Sequence, residues 1–197
     1  MHIKTLEVGA HPTNCYIVAD PATKAAAIID PGDDSSLIME YIASEGLKPQ
    51  VIFLTHGHYD HTMAVDDLAT AFSIPAYIHE KEVDISGKSP YTFLPVADTR
   101  YYDDGDQFHV GELLFTVLHT PGHSRGSVCL QVEDCLFTGD VLFADTIGRT
   151  DYMQNGAKLM QDTLKKLLNV KFTTAYHGHG VSSSYEEQQK NIHNFIE

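Results

Sequence analysis

The segment Val51-Ile52-Phe53-Leu54-Thr55-His56-Gly57-His58-Tyr59-Asp60-His61 carries the reading of this chain. Its first four residues are an unbroken apolar run, the pattern of a strand buried on both faces. The residues after Leu54 read as a strand-to-helix turn, which presents side chains beyond the sheet edge. His56 and His58 stand at i and i+2, on one side of an extended backbone, and Gly57 allows the tight bend between them. Asp60 and His61 are expected to open the next helix, so four potential metal ligands fall within six residues. Imidazole and carboxylate together suit zinc, iron or manganese rather than calcium or magnesium. The competing account is a solvated loop with Asp60 as a helix N-cap, and four such groups beside a buried strand argue against it.

Further candidates lie downstream. They are His123 in Thr120-Pro121-Gly122-His123-Ser124, Asp140 in Thr138-Gly139-Asp140, and His179 in His177-Gly178-His179-Gly180. Each follows a predicted strand and is flanked by glycine, which places it on a loop at a strand end. With the first cluster they supply five histidines and two aspartates. That set is too large for one tetrahedral ion and right for two, about 3.5–4 Å apart and sharing a carboxylate.

Around these loops the chain alternates strand and helix patterns. Strands are predicted at Ile3–Val8, Asn14–Ala19, Ala25–Ile29, Val51–Leu54 and Ala76–His79, with Asp20-Pro21 and Pro31-Gly32 as turns. Asp33 or Asp34 can cap a helix carrying Leu37, Ile38, Tyr41 and Ile42, and a second helix is predicted from about Thr62 to Phe72. Glu80 to Asp106 is the least regular stretch. Its aromatic residues Tyr91, Phe93, Tyr101 and Tyr102 either line a pocket or pack a surface loop. Strands are then predicted near Gln107–Val110, Leu113–Leu118, Ser127–Val132 and Cys135–Thr138. A helix at about Gly156–Asn169, a strand near Thr173–Tyr176 and a helix from about Ser184 complete the chain.

The chain has 197 residues, 43% hydrophobic and 20% charged, an ordinary composition for one globular domain. With 13 Lys+Arg against 27 Asp+Glu its net charge is −14, which disfavours nucleic acid and anionic membrane as partners. The longest apolar runs, Cys15–Ala19 and Ala25–Ile29, are far short of the roughly 20 residues of a membrane span, and no apolar signal region follows Met1. Cys15, Cys129 and Cys135 are odd in number and lack CxxC spacing. A turn at Glu133-Asp134 would put Cys129 and Cys135 on opposite sheet faces, so three buried thiols and a cytoplasmic location are expected.

The ordered set His56-x-His58-x-Asp60-His61, Thr120-Pro121-Gly122-His123, Gly139-Asp140 and Gly178-His179-Gly180 resembles the metallo-β-lactamase fold superfamily. The resemblance runs from Asn14-Cys15-Tyr16 and Ile29-Asp30-Pro31-Gly32 to His179. Within it, Gly139-Asp140-Val141-Leu142-Phe143 followed by Ile147-Gly148-Arg149-Thr150-Asp151 is similar to the short glyoxalase II-like (hydroxyacylglutathione hydrolase-like) enzymes.

The resemblance implies an α/β (α+β) fold, a four-layer αββα sandwich forming a single domain over residues 1–197. It also implies two divalent ions, zinc first with iron or manganese as alternatives. His56, His58 and His123 match the ligands of one ion; Asp60, His61 and His179 match those of the other, with Asp140 bridging. Asp60 and Asp140 are then the catalytic carboxylates, and Asp60 can orient a hydroxide that attacks a thioester carbonyl. Arg149 either holds a substrate carboxylate or pairs with Asp145 or Asp151, and Tyr91 is a second substrate-contact candidate. His119 is expected in a packing role.

The implied activity is a thioesterase acting on small 2-hydroxyacyl-thiol substrates such as S-lactoylglutathione. The chain departs from the family pattern at His177, where the family usually has proline, so His177 competes with His179 for the last ligand position. Eighteen residues follow His179, too few for the C-terminal helical domain that holds glutathione in larger glyoxalase II enzymes. The alternatives are a persulfide dioxygenase-like oxidoreductase with one iron on His56, His123 and Asp140, a lactone or phosphodiester hydrolase, and a metal-binding protein without catalysis. A β-lactamase is disfavoured because Asp140 stands where many such enzymes place Cys or Ser.

Overall fold

The structure, a computed structural model, describes residues 1–83, 93 and 95–196. Six strands form the first sheet in chain order: β1 (His2–Val8), β2 (Thr13–Ala19), β3 (Ala25–Ile29), β4 (Lys48–Phe53), β5 (Ala76–His79) and β6 (Thr99–Tyr102). The first three form an antiparallel meander, whereas β3 through β6 run parallel. The second sheet has β7 (Gln107–Val110), β8 (Leu113–His119), β9 (Val128–Val132), β10 (Cys135–Gly139), β11 (Thr174–His177) and β12 (Ser183–Ser184). Only its β10–β11 pair is parallel.

Strand alternation sorts the apolar residues into layers. On β2, β3 and β4 the residues Tyr16, Val18, Ala27, Ile29, Val51 and Phe53 face the second sheet. Their neighbours Cys15, Ile17, Ala26, Ile28, Ile52 and Leu54 face outward, beneath helices α1 (Ser35–Ser44) and α2 (Val65–Phe72). The second sheet repeats the scheme: Phe115, Leu130 and Phe137 point inward, while Cys129 and Leu136 lie under α3 (Gly156–Leu167) and α4 (Tyr185–Phe195). The result is the expected four-layer αββα sandwich with strands buried on both faces. Cys129 and Cys135 occupy opposite faces, and all three cysteines are free and buried. Among the described residues no helix is long and apolar enough to cross a membrane.

Three local expectations are corrected. Asp60 and His61 do not open an α-helix: Tyr59–His61 is a 3-10 turn, and α2 begins at Val65. The reason is tertiary, because Met63 and Ala64 donate their N–H groups to Gly32 and Pro31 carbonyls, which ties the segment to the end of β3. Asp34 occupies the N-cap position of α1 without capping it. Its backbone is left-handed (φ 53°) and its carboxylate accepts from the Gly9 N–H instead. The irregular stretch also contains a strand, β6, with Tyr102 as its one buried side chain; four residues at a sheet edge carry too short an alternation to read.

Candidate metal centre

The loops that leave the C-terminal ends of β3, β4, β8, β10 and β11 meet at one edge of the sandwich. They deliver Asp30, His56–His61, His123, Asp140 and His179 to a common point. All seven sequence-predicted His and Asp residues converge there, in two groups. In the first, His58 Nδ1 lies 3.1 Å from His56 Nε2 and 3.0 Å from His123 Nε2. In the second, His179 Nε2 lies 3.4 Å from Asp60 Oδ2, and His61 Nε2 lies 3.8 Å from it. Asp140 stands between them, with Oδ1 3.4 Å from His61 Nε2 and Oδ2 3.7 Å and 3.6 Å from His123 and His179.

The far nitrogens of His56, His61, His123 and His179 are held by the protein, which fixes which nitrogen faces the centre. His123 Nδ1 donates to the Arg149 carbonyl (3.0 Å) and His179 Nδ1 to the Pro12 carbonyl (2.7 Å). His61 Nδ1 donates to Asp30 Oδ2 (3.0 Å). The Thr55 hydroxyl donates to that same oxygen (2.6 Å) and lies 3.1 Å from His56 Nδ1, so one carboxylate aligns two rings. Asp30 Oδ1 accepts from the Thr55 N–H (2.7 Å). Asp30 thus buttresses His56 and His61, with which it forms a third close, buried group.

Electrostatics separate the two groups. Burial and the neighbouring imidazoles keep His56 well below the usual histidine pKa. Burial also holds His58 and His123 low, against the pull of Asp140, so this group is a set of neutral lone-pair donors. In the second group burial opposes charge, but the carboxylates prevail: Asp140 and Asp30 hold His61 well above the usual value, and Asp60 and Asp140 raise His179. The same imidazoles keep Asp140 and Asp60 below the usual carboxylate range despite burial. The centre thus holds ionised carboxylates whose field attracts positive charge.

A test of fit for metal comes from buried polar atoms that make no hydrogen bond among the described residues. His61 Nε2 and Asp140 Oδ1 are buried without a hydrogen-bond partner among the described residues, and both face the centre. A buried orphaned donor or acceptor carries a full desolvation cost, which a cation between them removes. The donors of His56, His58 and His123, and those of Asp60, His61 and His179, each lie within 4.8 Å of one another. The wall behind them admits no side chain: a Cβ on Gly178 would lie 2.1 Å from Asp140 Oδ1 and 2.8 Å from His61 Cε1. The residues therefore fit divalent metal with nitrogen and oxygen ligands.

The model of the metallo-β-lactamase superfamily matches residues 8–179. The chain belongs to the metallo-β-lactamase superfamily. Among curated relatives, the probable metallo-hydrolase YqgX of Bacillus subtilis is 34% identical, covering 96% of this chain and 95% of the relative. The hydroxyacylglutathione hydrolase GloC of Haemophilus influenzae is 31% identical over 85% of this chain and 84% of its own. The solved BLEG-1 B3 metallo-β-lactamase superposes with a TM-score of 0.88 at 33% identity, covering both chains completely. TTHA1623 in a di-iron-bound form gives 0.80 at 29% identity, covering 95% of this chain and 98% of that one.

Within this superfamily frame the remaining sequence candidates separate. His177 is buried with Nδ1 2.8 Å from Thr138 Oγ1 and Nε2 2.9 Å from Ser183 Oγ, so it braces β11 while His179 reaches the centre. The Arg149 guanidinium is taken by Asp151, at 3.0 and 2.8 Å, and lies over the Tyr152 ring. Tyr91 lies outside the described residues. Tyr102 and Phe93 are core residues and Tyr101 is exposed, so these three line no pocket at the centre. His119 stacks on His79 and contacts the Arg125 carbonyl, a packing role.

The sequence reading missed Asp30 and Glu82. Asp30 had a usable signal, because an acid directly after the buried strand Ala25–Ile29 repeats the pattern that singled out Asp140. Glu82 had none. Its buried carboxylate accepts from the Gly57 N–H (2.8 Å) and the Gly126 N–H (2.5 Å), joining two ligand loops that are distant in sequence. Tyr152, whose ring centroid lies 5.2 Å from His58 and 5.5 Å from His123, is a further unpredicted neighbour.

Proposed function

We propose that the chain is a dinuclear metal-dependent hydrolase that cleaves small 2-hydroxyacyl thioesters, in the manner of glyoxalase II. The observation that carries the reading is the paired cluster, His56/His58/His123 and Asp60/His61/His179, with Asp140 between them. Two divalent cations held there would generate a nucleophile from water at neutral pH and stabilise negative charge developing on the substrate carbonyl oxygen. Zinc is the first candidate, and iron is supported by the di-iron form of TTHA1623. The 31% identity to a hydroxyacylglutathione hydrolase supports the substrate class.

The protein's own part is orientation and charge. Asp140 and Asp60 remain ionised, and Asp60, one-fifth exposed at the mouth, is placed to accept a hydrogen bond from the attacking water. Asp30 and the carbonyls of Pro12 and Arg149 hold three rings with Nε2 toward the centre. A thiol, with a pKa near 8.5, leaves as thiolate without a strong general acid. A mononuclear oxidoreductase built on His56, His123 and Asp140 would give Asp60, His61 and His179 no task, and their convergence favours hydrolysis.

A second reading, β-lactam hydrolysis at the same centre, is favoured by the full-length likeness to BLEG-1. One experiment separates these readings: metal analysis of the purified protein with a panel of S-lactoylglutathione, a lactone, a phosphodiester, a β-lactam, and oxygen uptake with glutathione persulfide. Two ions per chain with thioester turnover is the expected outcome. Two ions with β-lactam turnover alone would replace the substrate, and one iron with oxygen uptake would overturn hydrolysis.

A further inference from the structure

The net charge of this chain is −14, yet cations gather beside its metal centre. A cavity of about 770 Å³ is lined by Lys81, Arg125 and Lys158 together with His119, Met153 and Leu159. A second cavity of about 320 Å³ shares Lys81, Arg125 and Met153 as walls and reaches His58, His123 and Tyr152. Their common walls make one trough that runs from the ligand pair His58/His123 to the first turn of α3. The larger cavity lies within the size range of small-molecule sites, about 300–1,000 Å³.

The three cations are available. The lysine and arginine side chains that form ion pairs among the described residues are Arg100, Arg149 and Lys166, with Asp98, Asp151 and Asp104. Lys81, Arg125 and Lys158 are exposed and have no such pair among the described residues. Two carboxylates also border the trough. Those of Glu82 are committed to the Gly57 and Gly126 N–H groups, and Asp162 lines the larger cavity. Arg149 is held by Asp151, whereas Arg125 follows the ligand His123 by two residues and borders both cavities. Such a cluster focuses positive potential along the path a substrate takes to the centre.

We infer that this trough seats the thiol half of the substrate, and that this thiol is anionic, bearing carboxylates as in a peptide thiol or a phosphate as in a phosphopantetheine. The inference rests on the thioesterase reading and names its substrate class. The acyl half then lies at the centre, beside Asp60 and Asp140. In hydrolysis the acyl carbon–sulfur bond breaks, the water oxygen bonds to the acyl carbon, and the water's proton balances the departing thiolate. Lys81, Arg125 and Lys158 take no part in these bond changes; they set which thioester is chosen.

The test compares the metal-loaded wild type with the double variant Arg125→Glu/Lys158→Glu and the conservative Arg125→Lys/Lys158→Arg. The first readout is the ratio of kcat/KM for S-lactoylglutathione to that for the uncharged S-lactoyl-N-acetylcysteamine. The expected result is a fall of about tenfold or more in the charge-reversed variant, and retention in the conservative one. The second readout is calorimetric binding of S-methylglutathione and of S-methyl-phosphopantetheine, neither of which can be hydrolysed. The wild type should bind at least one, about tenfold or more tighter than the charge-reversed variant and less tightly at high salt, and which one binds identifies the anion source. An equal affinity in both proteins, or no binding by the wild type, overturns the trough. Thioester turnover without charge preference would overturn it while sparing the thioesterase reading; charge-dependent binding with no thioester turnover would do the reverse.

Discussion

Asp30 and His61 are joined by a 3.0 Å hydrogen bond, both side chains buried, and the same Asp30 oxygen accepts from the Thr55 hydroxyl that faces His56. One carboxylate at the end of β3 thereby sets the ring orientation of a histidine from each group of the centre. Supporting groups of this kind tune affinity even though they never touch the ion.

Replacing Asp30 by Asn tests that role. Asparagine tolerates the left-handed backbone at this position (φ 49°), so the fold should persist. The amide has one acceptor oxygen, so it cannot serve both the Thr55 N–H on one side and the Thr55 hydroxyl with His61 on the other. Metal affinity, measured by chelator competition, should fall about 10–100-fold. Wild-type affinity in a folded D30N protein would remove Asp30 from the account.

Gly178 is required by a close approach. Any Cβ there would lie 2.1 Å from Asp140 Oδ1, so Gly178→Ala should displace Asp140 and reduce both metal content and activity by about 100-fold or more. Gly180→Ala is the control: its backbone is left-handed (φ 74°), but nothing lies within 4 Å of an added Cβ. It should cost only about 1 kcal/mol of stability, read by denaturant unfolding, and retain its metal.

The two histidines of the last strand end should part in a metal assay. His179→Ala removes a ring facing Asp60 and Asp140 and should lower the bound metal from about two ions per chain to about one. His177→Gln should retain both ions while losing about 1–3 kcal/mol, because it disturbs the buried bonds to Thr138 and Ser183. The opposite assignment of metal loss would make His177 the ligand.

Glu82 links the His56–His58 loop to the His123–Gly126 loop through two backbone N–H groups. Glu82→Gln leaves one acceptor where two are needed, and should destabilise by about 2 kcal/mol, a fall of about 4–8 °C in Tm. Because both loops carry residues of the His56/His58/His123 group, metal loss on dilution should be faster as well. Thermal melts with and without a chelator separate the two effects.

The seven converging residues were legible because they follow apolar strands, four of them clustered within His56–His61 and the other three beside glycine in Gly122-His123, Gly139-Asp140 and Gly178-His179, local patterns that need no knowledge of the fold. Strand geometry sends Cys15 and Tyr16, or Leu136 and Phe137, to opposite faces, but these strands are buried throughout, so the four-layer order was implied by the family resemblance and not by the strand pattern. The sequence by itself therefore determined which histidines and aspartates lie at the strand ends, and through the family resemblance the sandwich that those strands build.

Tertiary structure decided the rest, because it depends on groups far apart in the chain. The start of α2 at Val65 results from N–H groups captured by Pro31 and Gly32, and the placement of His179 beside Asp60 and Asp140 while His177 is locked to Thr138 and Ser183 rests on bonds across β10–β12. Glu82 bridges loops 25 and 44 residues away, and Arg125 joins Lys81 and Lys158 only through the walls of a cavity. Hydrogen bonds and electrostatic fields act through space, so these relationships have no period or spacing to read, whereas a strand's burial and a loop's ligand spacing are written along the chain.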